Sequence, residues 1–274
     1  MMSTELNEYL LARASDEVGR LSAWSEIWEP EDEAMLDQIP VQAGWQAIDL
    51  GSGPRGILGA LSRRVGPDGA VVGLDANAGH LSAAAEYVRA NSYANVRLVQ
   101  GDAYATGLPR AGFDLVHARA MLTPLGRDEA LLDEMLALAR PGGIVALQET
   151  DSSTYVSDPP QPAWERMKEL TVAAFARGGG DYDAGRHLYR LLRRAGLENI
   201  HLRAAVLPLP GGHPFRGWPM QSVTALRARM VDWGLTTEAE LDSLLAAGKR
   251  IAEDDNIFLF SFMVVQAWGQ KRDE

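Results

Sequence analysis

The sequence predicts a doubly wound α/β fold on a mostly parallel sheet, and three observations predict it. From Trp45 onward, short apolar runs alternate with helix-length segments. The first run enters a glycine-rich turn that opens a helix. Acids stand near the ends of the first three runs, at Asp49, Asp75 and Asp102. Alternating strands and helices fit a parallel sheet covered on both faces, with a ligand crevice at the carboxyl ends of the strands.

The elements follow in order. Residues 5–39 carry apolar positions at helical spacing, namely Leu6, Tyr9, Leu10, Ala14, Val18, Leu21, Trp24, Ile27 and Trp28, and Glu29-Pro30-Glu31-Asp32 reads as the start of a second helix. Strands are expected at 47–50, 70–74, 96–99, 113–117 and 144–148, with helices at about 56–65, 78–90, 127–139 and 185–195. The last two helices stop at Arg140-Pro141-Gly142-Gly143 and at Ala195-Gly196, where glycine follows a basic last turn. The stretch 151–183, with Pro159-Pro160-Gln161-Pro162 and Gly178-Gly179-Gly180, reads as an insertion over the sheet edge. A mostly helical segment, 208–255, separates strands expected at 198–206 and 257–267. The division is therefore a helical N-terminal preface at 1–40, a core at 41–207 and 256–270 holding the insertion 151–183, and a helical lid at 208–255.

Composition narrows the function. Lys and Arg number 26 against 37 Asp and Glu, a net charge of −11, which repels nucleic-acid backbones and anionic lipid. The short basic runs Arg63-Arg64 and Arg193-Arg194 read as solvated helix ends or faces. With no cysteine there is no disulfide, thiolate metal site or Cys nucleophile, and the five histidines lack ligand spacing, so no metal is expected. No run approaches the ~18–20 apolar residues of a membrane span, and a cytoplasmic protein is the expectation, with a homodimer left open.

The strongest local signal is Ala47-Ile48-Asp49-Leu50-Gly51-Ser52-Gly53-Pro54-Arg55-Gly56. Its glycines let the backbone approach a ligand, and the helix start offers free amide donors. Gly51, Gly53 and Gly56 also satisfy the dinucleotide fingerprint G-x-G-x-x-G. Against that reading stands Asp49, which would repel a pyrophosphate but suits an ammonium group. Asp75, ending the second strand, can accept from both hydroxyls of a ribose. Asp102, in Gln100-Gly101-Asp102-Ala103, can accept from an adenine amine.

With Phe113-Asp114-Leu115-Val116-His117-Ala118-Arg119 and Leu138-Ala139-Arg140-Pro141-Gly142-Gly143, these motifs resemble class I S-adenosylmethionine-dependent methyltransferases of the type seen in ubiquinone and menaquinone biosynthesis and actinobacterial secondary metabolism. The likeness is close over about residues 45–150. It implies a Rossmann-like sheet whose reversed last strand is the apolar run 257–267, and S-adenosylmethionine as cofactor. It further implies that Gly51 and Gly53 approach the methionine part, Asp75 the ribose and Asp102 with Ala103 the adenine; Asp49, Ser52, Ala76 and Arg119 complete the donor set. One departure is Pro54-Arg55-Gly56, where many relatives have glycine at position 55.

Methyl transfer is an in-line displacement, so alignment and exclusion of water matter most, and a base is needed only if the acceptor must lose a proton. His117, Arg119, Glu149 and Asp151 should emerge above the strand ends, and His117 and Glu149 are the candidate catalytic residues. The alternation Phe113, Leu115, His117 equally fits a packed core histidine. His187 and His213 lie in or beside the insertions. Trp218, Met220, Met230 and Trp233 suit an apolar lid or its own packing, and Trp24 and Trp28 could close the donor pocket. The acceptor is expected to be a small lipophilic or aromatic molecule. The alternatives are a cyclase or isomerase of the same fold that keeps the methyl donor as a structural ligand, and an NAD-dependent oxidoreductase.

Overall fold

The computed structural model describes residues 17–273, so the helical positions expected at Leu6, Tyr9, Leu10 and Ala14 lie outside the described residues. Helix α1 (Glu17–Leu36) is followed by β1 (Gln46–Leu50), α2 (Leu58–Val65), β2 (Ala70–Asp75), α3 (Ala78–Ala90), β3 (Val96–Gln100), β4 (Phe113–Arg119), α4 (Leu122–Leu125), α5 (Asp128–Leu138) and β5 (Ala139–Asp151). Then come the short β6 (Ser157–Asp158), α6 (Pro162–Arg177), α7 (Leu188–Arg194), β7 (Glu198–Ala205), β8 (Pro208–Leu209), α8 (Trp218–Asp232), α9 (Glu238–Glu253), β9 (Phe258–Phe260) and β10 (Met263–Gln270).

The main sheet runs β3-β2-β1-β4-β5-β10-β7. Strands β1 to β5 pair in parallel, whereas β10 is antiparallel to both neighbours and lies between β5 and the edge strand β7. Period-two alternation feeds both faces. Ile48, Leu50, Val72, Leu74, Val116 and Ala118 pack in one cluster with α5 and α7, while Ala47, Val71 and Leu115 pack in another with α2 and the end of α1. The strand order reverses between β1 and β4, and the crevice outside their carboxyl ends is where an open α/β sheet takes its ligand.

Four expectations are corrected. No second helix starts at Glu29, because α1 runs unbroken through Pro30. The proline forfeits one intrahelical bond, and tertiary contacts outweigh the loss: Trp28, Asp32, Met35 and Leu36 are buried, and Glu29 and Glu33 bind Arg55, Arg63 and Arg64. Arg63 and Arg64 thus tie α2 to α1 instead of forming a merely solvated face. The run 257–267 is not one strand. At Ser261 the chain is held sideways, its amide donating to the Leu207 carbonyl at 3.0 Å and its hydroxyl accepting from the Leu207 amide at 2.9 Å. Phe262 is thereby buried among Trp24, Trp28, Tyr155, Tyr182, Phe215 and Trp218, leaving β9 in a small sheet with β6 and β8. Finally, the two inserted segments form one cap, in which α6, α8 and α9 share a core with Trp28 of α1.

Candidate active site

Strand β1 runs into a turn whose glycines Gly51, Gly53 and Gly56 have φ of 66°, 59° and 49°. These left-handed values favour glycine, and space forbids a side chain twice over. A Cβ at Gly51 would collide with the Met121 sulfur, and one at Gly56 with the Asp49 carboxylate and the Ser52 carbonyl. The turn is lashed to β2: the Ser52 amide donates to the Leu74 carbonyl at 2.9 Å and the Gly53 amide to Asp75 Oδ2 at 2.8 Å. Arg55 leaves the turn outward, bonded to Glu29 at 2.5 Å and lying over the Tyr87 ring, and α2 begins at Leu58.

The turn forms one end of a cavity of about 740 Å³. Asp49, Gly51, Ser52, Gly53, Asp75, Ala76, Asp102, Ala103 and Arg119 all line it. Asp75 accepts the Gly53 amide on Oδ2 and the Asn77 amide on Oδ1 at 2.8 Å, which leaves lone pairs on both oxygens. Asp102 folds back on the Tyr104 amide at 2.9 Å. The Ser52 hydroxyl and Trp24 Nε1, both on the cavity wall, are buried without a hydrogen-bond partner. Buried polar atoms are normally paired, and these two, with His80 Nδ1 on the same wall, leave hydrogen-bonding capacity open toward the cavity. Nearby, Arg127 takes a left-handed backbone (φ 57°) and lays its guanidinium 4.0 Å over the Tyr104 ring. Burial pushes the Tyr104 phenol up to about 12.

His117, Glu149 and Asp151 do not line the cavity. His117 has no exposed surface. Its Nδ1 lies 2.7 Å from Asp49 Oδ1 and its Nε2 3.0 Å from Gln148 Nε2; the amide nitrogen of Gln148 can only donate, so His117 Nε2 accepts and Nδ1 carries the hydrogen toward Asp49. The network continues outward: Gln148 Nε2 also donates to Asp32 at 2.9 Å, Asp32 accepts from Arg119 at 2.7 Å, and Arg119 donates to Ser25 at 2.7 Å. Burial pushes the Asp32 carboxyl up, against the pull of Arg119.

Glu149 is equally enclosed. Its carboxylate accepts from the amides of Met121, Leu122 and Thr123 at 2.8–2.9 Å and from the Thr123 hydroxyl at 2.6 Å, capping the start of α4. Burial raises its pKa despite those donors. Asp151 binds Arg186 at 2.6 Å and 3.0 Å and the Ser153 amide. Burial opposes its ionisation, but these donors win and hold its carboxyl below the ordinary range. His187 is a surface partner of Asp181, and His213 caps the Phe215 amide.

Of the four lid residues singled out in the sequence, only Trp218 reaches the cavity. Met230 has no exposed surface, and Met220 and Trp233 pack against the cap's own core. Trp24 lines the cavity, whereas Trp28 lies behind it, stacked on Phe262. Sequence reasoning missed Arg20, Thr123, Thr150, Phe175, Tyr182 and Ser222, which line the cavity without belonging to any motif. The sole hint was Tyr182 in the polar loop Gly180-Asp181-Tyr182-Asp183, where a large aromatic is out of place.

A family model described as a methyltransferase domain matches residues 42–196, more than half of the chain. The demethylmenaquinone methyltransferase of Geobacillus kaustophilus (strain HTA426) is 32% identical over 122 residues, covering 44% of this chain and 52% of that protein. The trans-aconitate 2-methyltransferase of Methylobacterium radiotolerans is 30% identical over 172 residues, 62% of this chain and 61% of that protein. The chain spans about half the length of the first of these curated relatives. Among solved structures, phosphoethanolamine N-methyltransferase 2 of Haemonchus contortus in complex with S-adenosyl-L-methionine superposes with a TM-score of 0.60 at 15% identity, covering 100% of this chain and 61% of that one. A methyltransferase-like chain from Bacillus halodurans gives 0.58 at 18% identity over 88% of this chain and 99% of its own. At such identities the likeness is one of fold.

Proposed function

Because the chain belongs to the methyltransferase domain family, as a class I S-adenosylmethionine-dependent member, we propose that it transfers a methyl group from S-adenosylmethionine to a small lipophilic or aromatic acceptor. The observation that supports this most is the single cavity in which the glycine turn, the three strand-end carboxylates and the aromatic cap residues meet.

The chain's own residues fit the methyl donor. The glycine turn seats the methionine part, with Ser52 and its unpartnered hydroxyl within reach and Asp49 supplying negative charge beneath the ammonium. Asp75 accepts from the ribose hydroxyls with the lone pairs its backbone donors leave open, while Ala76 borders it. Asp102 and Ala103 face the adenine, and Arg119, steadied by Asp32 and Ser25, closes the floor. When bound, the sulfonium supplies an activated methyl group open to in-line attack. The chain then aligns the acceptor and excludes water, and Trp24, Phe175 and Trp218 give an apolar wall suited to that work. His117 and Glu149 act here as positioning residues: His117 orients Asp49, and Glu149 holds the segment 121–123 against the cavity.

The names of the relatives, for demethylmenaquinone and trans-aconitate, support a small-molecule acceptor. A net charge of −11 speaks against a nucleic-acid partner, and no helix among the described residues is long and apolar enough to cross a membrane. Calorimetry tests the proposal: S-adenosylhomocysteine binds and NAD does not. Asp75→Ala weakens that binding about ten- to hundredfold, the worth of charge-assisted hydrogen bonds of about 1.5–3 kcal/mol. NAD binding without any response to the sulfonium ligand or its product would overturn the reading.

A further inference from the structure

Among the described residues, six buried side-chain atoms have no hydrogen-bond partner. Three of them, on Trp28, Tyr155 and Trp164, belong to the aromatic core that α1 shares with the cap, away from the cavity. The other three, Ser52 Oγ, Trp24 Nε1 and His80 Nδ1, are on side chains of the cavity wall. His80 is set apart by its neighbour. Its Nδ1 lies 3.4 Å from Asp75 Oδ1, and the two side chains are only 8% and 12% exposed. That separation exceeds the roughly 2.7–3.2 Å of an N–H···O bond, so imidazole and carboxylate face each other without closing one.

The loop from β2 to α3 fixes this pair. Asp75 Oδ1 accepts from the Asn77 amide at 2.8 Å, and Asn77 in turn caps α3, its side-chain oxygen accepting from the Gly79 and His80 amides at 2.8 Å and 3.3 Å. From the other side the Gly53 amide holds Asp75 Oδ2 at 2.8 Å. One short run of backbone therefore places both side chains, and their spacing is built into the start of α3. Each Asp75 oxygen keeps a lone pair beyond its backbone donor, and the one on Oδ1 lies beside the unpartnered Nδ1 of His80.

We propose that His80 is a second ribose-binding residue, and that one hydroxyl of the methyl donor's ribose sits between His80 Nδ1 and Asp75 Oδ1. A hydroxyl both donates and accepts. Donating to the carboxylate, it offers its oxygen to the imidazole, whose hydrogen is favoured on Nδ1 because that nitrogen faces a negative group. The one hydroxyl thus gives Asp75 Oδ1 a further donor and gives Nδ1 the partner that the protein does not supply. A site built around a hydroxyl rejects the analogue that lacks it, because its buried groups are then left unpaired. His80 accordingly determines specificity for the ribose and takes no part in the transfer itself, which occurs at the sulfonium. The inference rests on the methyl-donor reading and adds to it the residue that reads this hydroxyl.

The probes are S-adenosylhomocysteine and its two analogues that each lack one ribose hydroxyl, titrated by calorimetry into the unaltered protein and into His80→Leu. In the unaltered protein, deleting the bracketed hydroxyl is expected to weaken binding about tenfold or more, since a charge-assisted bond and a neutral one are lost together. In His80→Leu, which keeps an apolar bulk and removes the nitrogen, that cost shrinks by about three- to tenfold, and the cost of deleting the other hydroxyl stays the same. His80→Ala reads the same ratios should the leucine variant not fold. Each cost is a ratio within one protein, so a general loosening of the site cancels. Costs unchanged by the substitution overturn the inference, and so does an equal reduction for both hydroxyls, which a packing role would give. If S-adenosylhomocysteine itself does not bind the unaltered protein, the methyl-donor reading falls and this inference with it; binding with unchanged costs overturns this inference alone.

Discussion

At the centre of the sheet, His117 uses both ring nitrogens inside the protein, one toward Asp49 and one toward Gln148. A general base needs one nitrogen in reach of substrate, and this one has neither a free nitrogen nor a surface. Its removal should therefore act through structure. His117→Ala leaves a buried carboxylate without its partner, a change that typically costs about 3–5 kcal/mol. Urea denaturation should show that loss together with weaker S-adenosylhomocysteine binding through a misoriented Asp49. A variant of undiminished stability whose turnover alone falls would return His117 to catalysis. The histidine could be numbered from the sequence, but its role could not: period two places it in line with Leu115 without saying that Asp49 and Gln148 would be its neighbours across the sheet.

Two elements carry buried charge that no pattern announced. Arg216, 2% exposed, donates to the backbone carbonyls of Leu209, Ile251, Ala252, Asp254 and Ile257 at 2.7–3.0 Å. Three of these carbonyls lie at the carboxyl end of α9 or just beyond it, where cations are favoured, so this one side chain ties the end of α9 to β8 and β9. Arg216→Met should lower the unfolding free energy by about 3 kcal/mol or more. Arg216→Lys should recover only part of it, because an ammonium has fewer donors than a guanidinium; an equal urea midpoint for Lys and Arg would refute the multidentate account.

On α5, Glu134 accepts from the Thr106 amide at 2.9 Å and from Arg110 at 2.6 Å. Burial opposes ionisation there, yet these donors lower its pKa below the ordinary 4.5. A lowered folded value means that, below about pH 4.5, the unfolded chain binds a proton the folded chain refuses, so stability present at neutral pH is lost as pH falls through the folded value. Asp151 acts in the same direction. Glu134→Gln should accordingly flatten the acid limb of a stability–pH curve measured between about pH 5 and pH 3, and an unaltered slope would remove Glu134 from the account.

For the described molecule as a whole, the cap core and α1 are one body. Trp28 of α1 packs with Phe215 before α8 and with Phe262 before β10. Excising 212–250 would strip that core, so the segment is not a detachable lid, and single-residue variants at the cavity are the means to separate donor from acceptor contacts. One cooperative unfolding transition is expected by calorimetry, raised by S-adenosylhomocysteine. At a hundredfold excess over Kd the ligand adds about 2.7 kcal/mol, or a shift of roughly 5–10 °C for a chain of this size. Two separated transitions, with the ligand moving only one, would show that cap and sheet are independent.

The sequence by itself determined the α/β class, the strand and helix order of 45–150, the glycine turn, and the acids at Asp49, Asp75 and Asp102. These depend on local chemistry, on left-handed glycines, period-two burial and strand-end polarity, which neighbours along the chain express directly. Only tertiary structure decided that α1 passes through Pro30, that the final apolar run breaks at Ser261, that His117 and Glu149 face inward, and that Tyr182 reaches the cavity. Each of these turns on partners tens to hundreds of residues away, such as Gln148 with Asp32, Leu207 with Ser261, or Thr150 with Tyr182. Burial and hydrogen-bond satisfaction are properties of the assembled chain, and a residue's type states what it can pair with but not what will stand beside it.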